Sequence, residues 1–100
     1  MIPAELQKEF EKYVYFIVGL YYYEMNLGKN LLWKPILHDA LAEAWELTNS
    51  GEPSELKREL GDEAATKLFK EVTNEIINDK KLLKKAVAEY RDELAKSITT

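Results

Sequence analysis

A chain of 100 residues, 46% hydrophobic and 32% charged, is long enough to build one core and too short for two. Its net charge of -4 lacks the basic surplus that phosphate neutralisation requires, so no nucleic-acid partner is expected. Cysteine is absent, which removes disulfides and thiolate metal sites and fits a reducing compartment, taken here as the cytoplasm.

The first predicted helix runs from about residue 3 to 26. Pro3 suits a first helical position, where its missing N–H costs nothing, and Glu5 follows in the first turn, where a carboxylate complements the helix dipole. Leu6, Phe10, Tyr13, Ile17 and Leu20 recur at spacings of four and three. Within this helix, residues 13–23 read Tyr-Val-Tyr-Phe-Ile-Val-Gly-Leu-Tyr-Tyr-Tyr, without a charge or an amide. A helix with no polar face must be covered on every side. The run rises about 16 Å as a helix and a bilayer core needs about 30 Å, so it does not span a membrane. Its acidic flank of Glu5, Glu9 and Glu11 is the reverse of an export signal. A strand reading finds no second strand to pair with inside the chain. Asn26-Leu27-Gly28 is expected to stop the helix, with Gly28 able to take the left-handed cap.

After a connector over 28–33, a second helix is expected from Lys34 or Pro35 to about Asn49. Leu37, Ala40, Leu41, Ala44 and Thr48 form its apolar stripe, Trp33 leads in, and Asp39, Glu43 and Glu46 lie opposite. Asn49-Ser50-Gly51 closes it. A short third helix runs from Pro53 or Ser54 to Leu60, after which Gly61 stops one helix and Asp62 caps the next. The fourth covers about 63–77, with Ala65, Leu68, Phe69, Val72 and Ile76 inward. Asn78-Asp79 breaks the chain, because a continuous helix would bring Lys80 into the apolar seam. The fifth runs to about Ser97 with Leu83, Val87, Tyr90 and Leu94 inward.

The expected fold is therefore all-α, a single domain over residues 1–100. It is a compact antiparallel bundle of four longer helices and one short connector helix, with the first helix the most buried. Residues 1–50 hold nine of the 11 aromatic residues and residues 51–100 hold 21 of the 32 charges, which assigns binding to the first half and scaffolding to the second. Prolines and glycines at helix boundaries, no cysteine and a lone histidine suit an engineered chain. The triple tyrosine and the polar residues of the fourth helix suit a natural one.

Two functional readings follow. The first is a small helical interaction module that self-associates, as a homodimer, through the aromatic first helix. Tyr, Trp and Met supply large area with a polar tip at interfaces, and the candidate surface comprises Tyr15, Phe16, Val18, Gly19, Tyr21, Tyr22, Tyr23, Met25, Trp33 and Trp45. The same residues are candidates to line a pocket for a small, flat apolar ligand, haem being the concrete case.

That pocket is the alternative reading, a ligand-binding bundle or small enzyme, and it rests on His38. This is the chain's one histidine, a residue type that titrates near neutral pH and ligates haem. Glu24, at the end of the apolar run, would complete a catalytic pair with His38 if one cavity held both. No resident cofactor is predicted otherwise, and no metal site, since a protein-only site needs several ligands at helical spacing. Lys80, Lys81, Lys84 and Lys85 form a basic cluster read as a solvated face. No phosphate loop, nucleophile elbow or calcium loop is present.

Overall fold

The computed structural model describes residues 4–47 and 52–99. Five α-helices follow one another: α1 Ala4–Glu24, α2 Trp33–Leu47, α3 Glu52–Leu60, α4 Asp62–Ile77 and α5 Lys80–Thr99, with a single 3-10 turn, Leu27–Lys29, between α1 and α2. Among the described residues no strand forms, and the all-α bundle expected from the sequence is what is found. Its radius of gyration, 13.5 Å, matches the roughly 13 Å of a 100-residue domain. The expected closures at Thr48 and at Asn49-Ser50-Gly51, like Pro3, lie outside the described residues.

The centre of the bundle is α1, which packs against all four other helices. Phe10, Val14, Ile17 and Val18 repeat at helical spacing and are buried. The α1 stripe thus runs through Val14 and Val18, with Leu6, Tyr13 and Leu20 half-buried on its flanks. Gly19 marks the closest approach of α1 to α5. A Cβ built on it would lie 2.2 Å from the Ala86 carbonyl oxygen and 2.9 Å from Tyr90 Cβ. A glycine in a helix interior either lets another helix approach or leaves room for a ligand, with close packing the favoured reading, and close packing against α5 is what Gly19 shows.

The missing polar face of α1 is resolved by tyrosine itself. Tyr15, Tyr21 and Tyr22 are half-buried, so their rings cover the core while one end stays near water. Lys85 Nζ sits 5.1 Å from the Tyr15 ring centroid, adding cation–π attraction on the outer side.

Trp45 joins three helices into one aromatic core. Its ring meets Phe10 of α1 edge-on at 5.6 Å and stacks on Phe69 of α4 at 4.6 Å. Its indole Nε1–H donates to Thr66 Oγ1 at 3.0 Å, which satisfies the one polar atom the burial would otherwise strand. From α3, Lys57 places Nζ 4.8 Å over the same ring and donates to the Trp45 carbonyl at 3.5 Å. Thr73, also buried, returns its hydroxyl to the Phe69 carbonyl at 2.6 Å.

The helix boundaries follow the expected punctuation with two differences, and the inward residues of α5 supply a third. The left-handed residue after α1 is Asn26 (φ 54, ψ 49), while Gly28 lies inside the 3-10 turn. Asn is the side-chain-bearing residue that best tolerates that conformation, so glycine is not needed at the stop. Gly61 takes φ 84 between α3 and α4, and Asp62 is the first residue of α4 rather than its cap. Its carboxylate still sits at the positive end of the dipole.

The third difference is in α5, whose buried seam is Leu83, Ala86 and Tyr90, with Leu94 exposed on the last turns. The small Ala86 replaces a large side chain because Gly19 brings the backbones together there. At the α4–α5 junction, Asn78 Nδ2 donates to the Asn74 carbonyl at 2.9 Å and Asp79 Oδ1 accepts from the Lys81 N–H at 2.9 Å. The chain turns there, and Lys80 stays in water.

Candidate functional site

The residues singled out in the sequence separate into core and surface. Val18 and Gly19 are buried, Gly19 against α5, and Trp45 is 4% exposed at the centre of the aromatic core. Tyr15, Phe16, Tyr21 and Tyr22 are half-buried; Tyr23 and Met25 are exposed. The large apolar side chains most exposed along this stretch are therefore at the last turn of α1 and just after it.

That turn adjoins a corner the sequence did not single out. Leu27 is 3% exposed and anchors the connector in the core. The Asn30 N–H donates to the Leu27 carbonyl at 3.0 Å, and Asn30 Oδ1 accepts from the Leu32 N–H at 2.8 Å. The Trp33 and Ile36 N–H groups then donate to Asn30 and Leu32 carbonyls at 3.2 Å, which leads directly into α2. Trp33 closes the corner by meeting Tyr22 edge-on at 5.5 Å. Held between these bonds, Leu31 is 99% exposed and Leu32 65%. The Asx turn at Asn30 thus holds two adjacent leucines in water. The available signal was the dipeptide Leu31-Leu32 inside a connector, where polar residues are the rule.

Glu24 and Tyr90 meet at the same end of α1. The Tyr90 hydroxyl donates to Glu24 Oε1, with the Tyr90 ring 5.6 Å from Phe16 and 5.9 Å from Tyr23. The bond from the phenol to the Glu24 carboxylate, then burial, then the carboxylate charge hold the Tyr90 hydroxyl above its ordinary value of 10.0. Tyr15 is raised as well, by burial first and then by Glu75, Glu11, Glu89 and Asp79. Glu24 is therefore a partner for a phenol on α5, and no hydrogen bond or ion pair joins it to His38. His38 is half-buried on α2, away from the residues that line the groove described next. Among the described residues no group of three or more His, Cys, Asp or Glu is arranged to hold a metal ion, and no helix is long and apolar enough to cross a membrane.

A groove of about 620 Å³ runs between α1, α3 and α5. Its floor is apolar, from Tyr13, Phe16 and Leu56. Carboxylates of Glu9, Glu89, Asp92 and Glu93 stand along it, opposed by Lys12 and Lys96. No local pattern announces this groove, because its floor needs Leu56 from one helix beside Phe16 from another.

Comparison with protein-family models, with curated proteins and with solved structures yields no match.

Proposed function

We propose that this chain is a non-enzymatic interaction module that self-associates through the last turn of α1 and the connector corner beside it. The observation that carries the reading is the hydrogen-bonded presentation of Leu31 and Leu32 at 99% and 65% exposure. Tyr23 and Met25, 49% and 43% exposed at the same end of the bundle, extend the apolar surface. The rim holds both charge signs, Lys29 and Lys34 with Glu24, all exposed. A second copy turned about a two-fold axis therefore meets opposite charge as well as apolar surface.

The strength of such a pair follows from its size. Burying four leucine side chains, two from each copy, contributes about 6–12 kcal/mol at ~1.5–3 kcal/mol each. Association itself costs about 4 kcal/mol or more in lost freedom of motion. For the leucines alone the balance is about 2–8 kcal/mol, and the further area of Tyr23 and Met25 lifts the weak end, so the dissociation constant lies between micromolar and millimolar.

Sedimentation equilibrium from about 1 µM to about 1 mM tests this range. The expected result is a monomer–dimer equilibrium that Leu31→Ser/Leu32→Ser shifts to monomer with unchanged helical circular dichroism. A chain that stays monomeric throughout refutes self-association. A double variant that dimerises as before refutes the choice of surface.

A further inference from the structure

We infer that the groove between α1, α3 and α5 is a docking site for a basic amphipathic peptide segment, one with an apolar anchor flanked by lysine or arginine. This is a second surface, independent of the connector corner, and its argument is charge and shape together.

Of the apolar lining, Leu56 is already buried and Tyr13 and Phe16 are half-buried, so the surface that remains open to the groove is part of the two rings, and covering it with an apolar side chain is favourable. The walls ask for positive charge. Glu9, Asp92 and Glu93 are exposed and Glu89 is half-buried, and together they outnumber Lys12 and Lys96 by two to one. Lys96 lies 3.6 Å from Glu93 as an ion pair, so among the lining charges Glu9, Glu89 and Asp92 stand against Lys12. An acidic wall along an apolar floor repels an acidic partner and steers a cationic one, and the desolvated floor then selects a segment that also carries an apolar side chain. The volume of about 620 Å³ lies within the range that buries a ligand of several side chains.

The probe is a fluorescein-labelled peptide, Lys-Lys-Leu-Leu-Lys-Lys, followed by fluorescence anisotropy with the intact chain. Saturable binding is expected, weakened as salt rises from roughly 50 mM to roughly 300 mM because exposed charges are screened. Replacing both peptide leucines by serine should weaken binding at least about tenfold, and an acidic peptide, Glu-Glu-Leu-Leu-Glu-Glu, should not bind. In the protein, Glu9→Lys/Asp92→Lys/Glu93→Lys should weaken binding at least about tenfold with helicity retained. Glu43→Lys/Glu46→Lys/Glu71→Lys makes the same change of net charge at exposed positions outside the groove and should leave most of the affinity.

Equal losses from the two triple variants would mean general charge attraction and would overturn the site. Insensitivity to the serine replacement would remove the apolar floor from the recognition, and binding of the acidic peptide would remove the walls. Absence of saturation at about 1 mM protein overturns the proposal outright. If the groove variant abolishes self-association while peptide binding persists, the groove belongs to a second copy and the peptide proposal falls.

Discussion

Gly19→Ala probes the central contact of the fold, and its sign separates two pictures of α1. In an isolated helix, alanine is favoured over glycine by about 1 kcal/mol. An α1 whose Gly19 faced open space would therefore be stabilised by the change. In the structure the new Cβ would lie 2.2 Å from the Ala86 oxygen and 2.7 Å from the Ala86 carbonyl carbon, whereas ordinary contact begins at 3.4 Å. The helices must separate locally by about 1 Å, and the obstacle is backbone, which no rotamer change can move aside. Separation loosens the packing of Val18 and Tyr90 at the same crossing, both buried.

Overpacking costs about 1–3 kcal/mol, and against backbone that cannot swing aside the cost lies in the upper part of that range, about 2–3 kcal/mol; less the ~1 kcal/mol propensity gain, a net loss of about 1–2 kcal/mol remains. For a domain of this length such a loss lowers Tm by roughly 4–16 °C. Urea unfolding followed by circular dichroism and a thermal melt both measure it. A Gly19→Ala chain that melts at or above the parent temperature would show that α5 does not cross α1 at Ala86, and the placement of α5 would be refuted.

Three further outcomes are expected. Gly61→Ala should destabilise by about 1–3 kcal/mol, because φ 84 with ψ 147 is a conformation that side-chain-bearing residues rarely adopt. Gly28→Ala should be close to neutral, its Cβ reaching only the Tyr22 hydroxyl at an ordinary 3.5 Å; equal losses from the two in urea titration would contradict the turn geometry. Thr66→Val keeps the shape but leaves the buried Trp45 indole N–H without an acceptor, a loss of about 1–3 kcal/mol that a denaturation midpoint reports and that an unchanged midpoint disproves.

The last concerns alkaline pH. Tyr90 and Tyr15 both hold their protons more tightly folded than unfolded, so their contribution is present below the unfolded value of 10.0 and is lost as pH rises through the higher folded values. Tyr90→Phe should flatten the decline of stability above pH 10.0 and remove one late-titrating phenol from the absorbance titration. A variant with the parent's alkaline stability profile and an unchanged number of late-titrating phenols would dissociate Tyr90 from Glu24.

The readable parts of the fold were those written in a few adjacent residues. Gly61 and the Asn78-Asp79 pair separate α3, α4 and α5 where their chemistry says they should, because a left-handed glycine or a side-chain cap acts on the backbone beside it. Helical periodicity likewise located Phe10, Ile17, Leu37, Leu41, Phe69, Ile76 and Leu83, all buried. The surface was less legible. Trp45 reads equally well as pocket lining or core, and only the stacking on Phe69 and the bond to Thr66, from a helix 21 residues further along, place it in the core. Leu31 and Leu32 read as a dull connector until Leu27 is anchored and Asn30 turns the chain outward.

By itself, then, the amino-acid order determined that this chain is helical and where most of its helices end; the expectation that α1 is covered on every side did not hold, since Tyr23 is exposed and Tyr15, Tyr21 and Tyr22 are half-buried. Tertiary structure decided what is covered and by what. It set α5 on Gly19, gave Glu24 to Tyr90, buried Trp45 and left Leu31 and Leu32 in water. The physical reason is range. Propensity, capping and periodicity are settled within one or two turns, whereas a helix crossing is settled by which small residue lets two distant backbones meet, and Gly19 with Ala86 lie 67 positions apart.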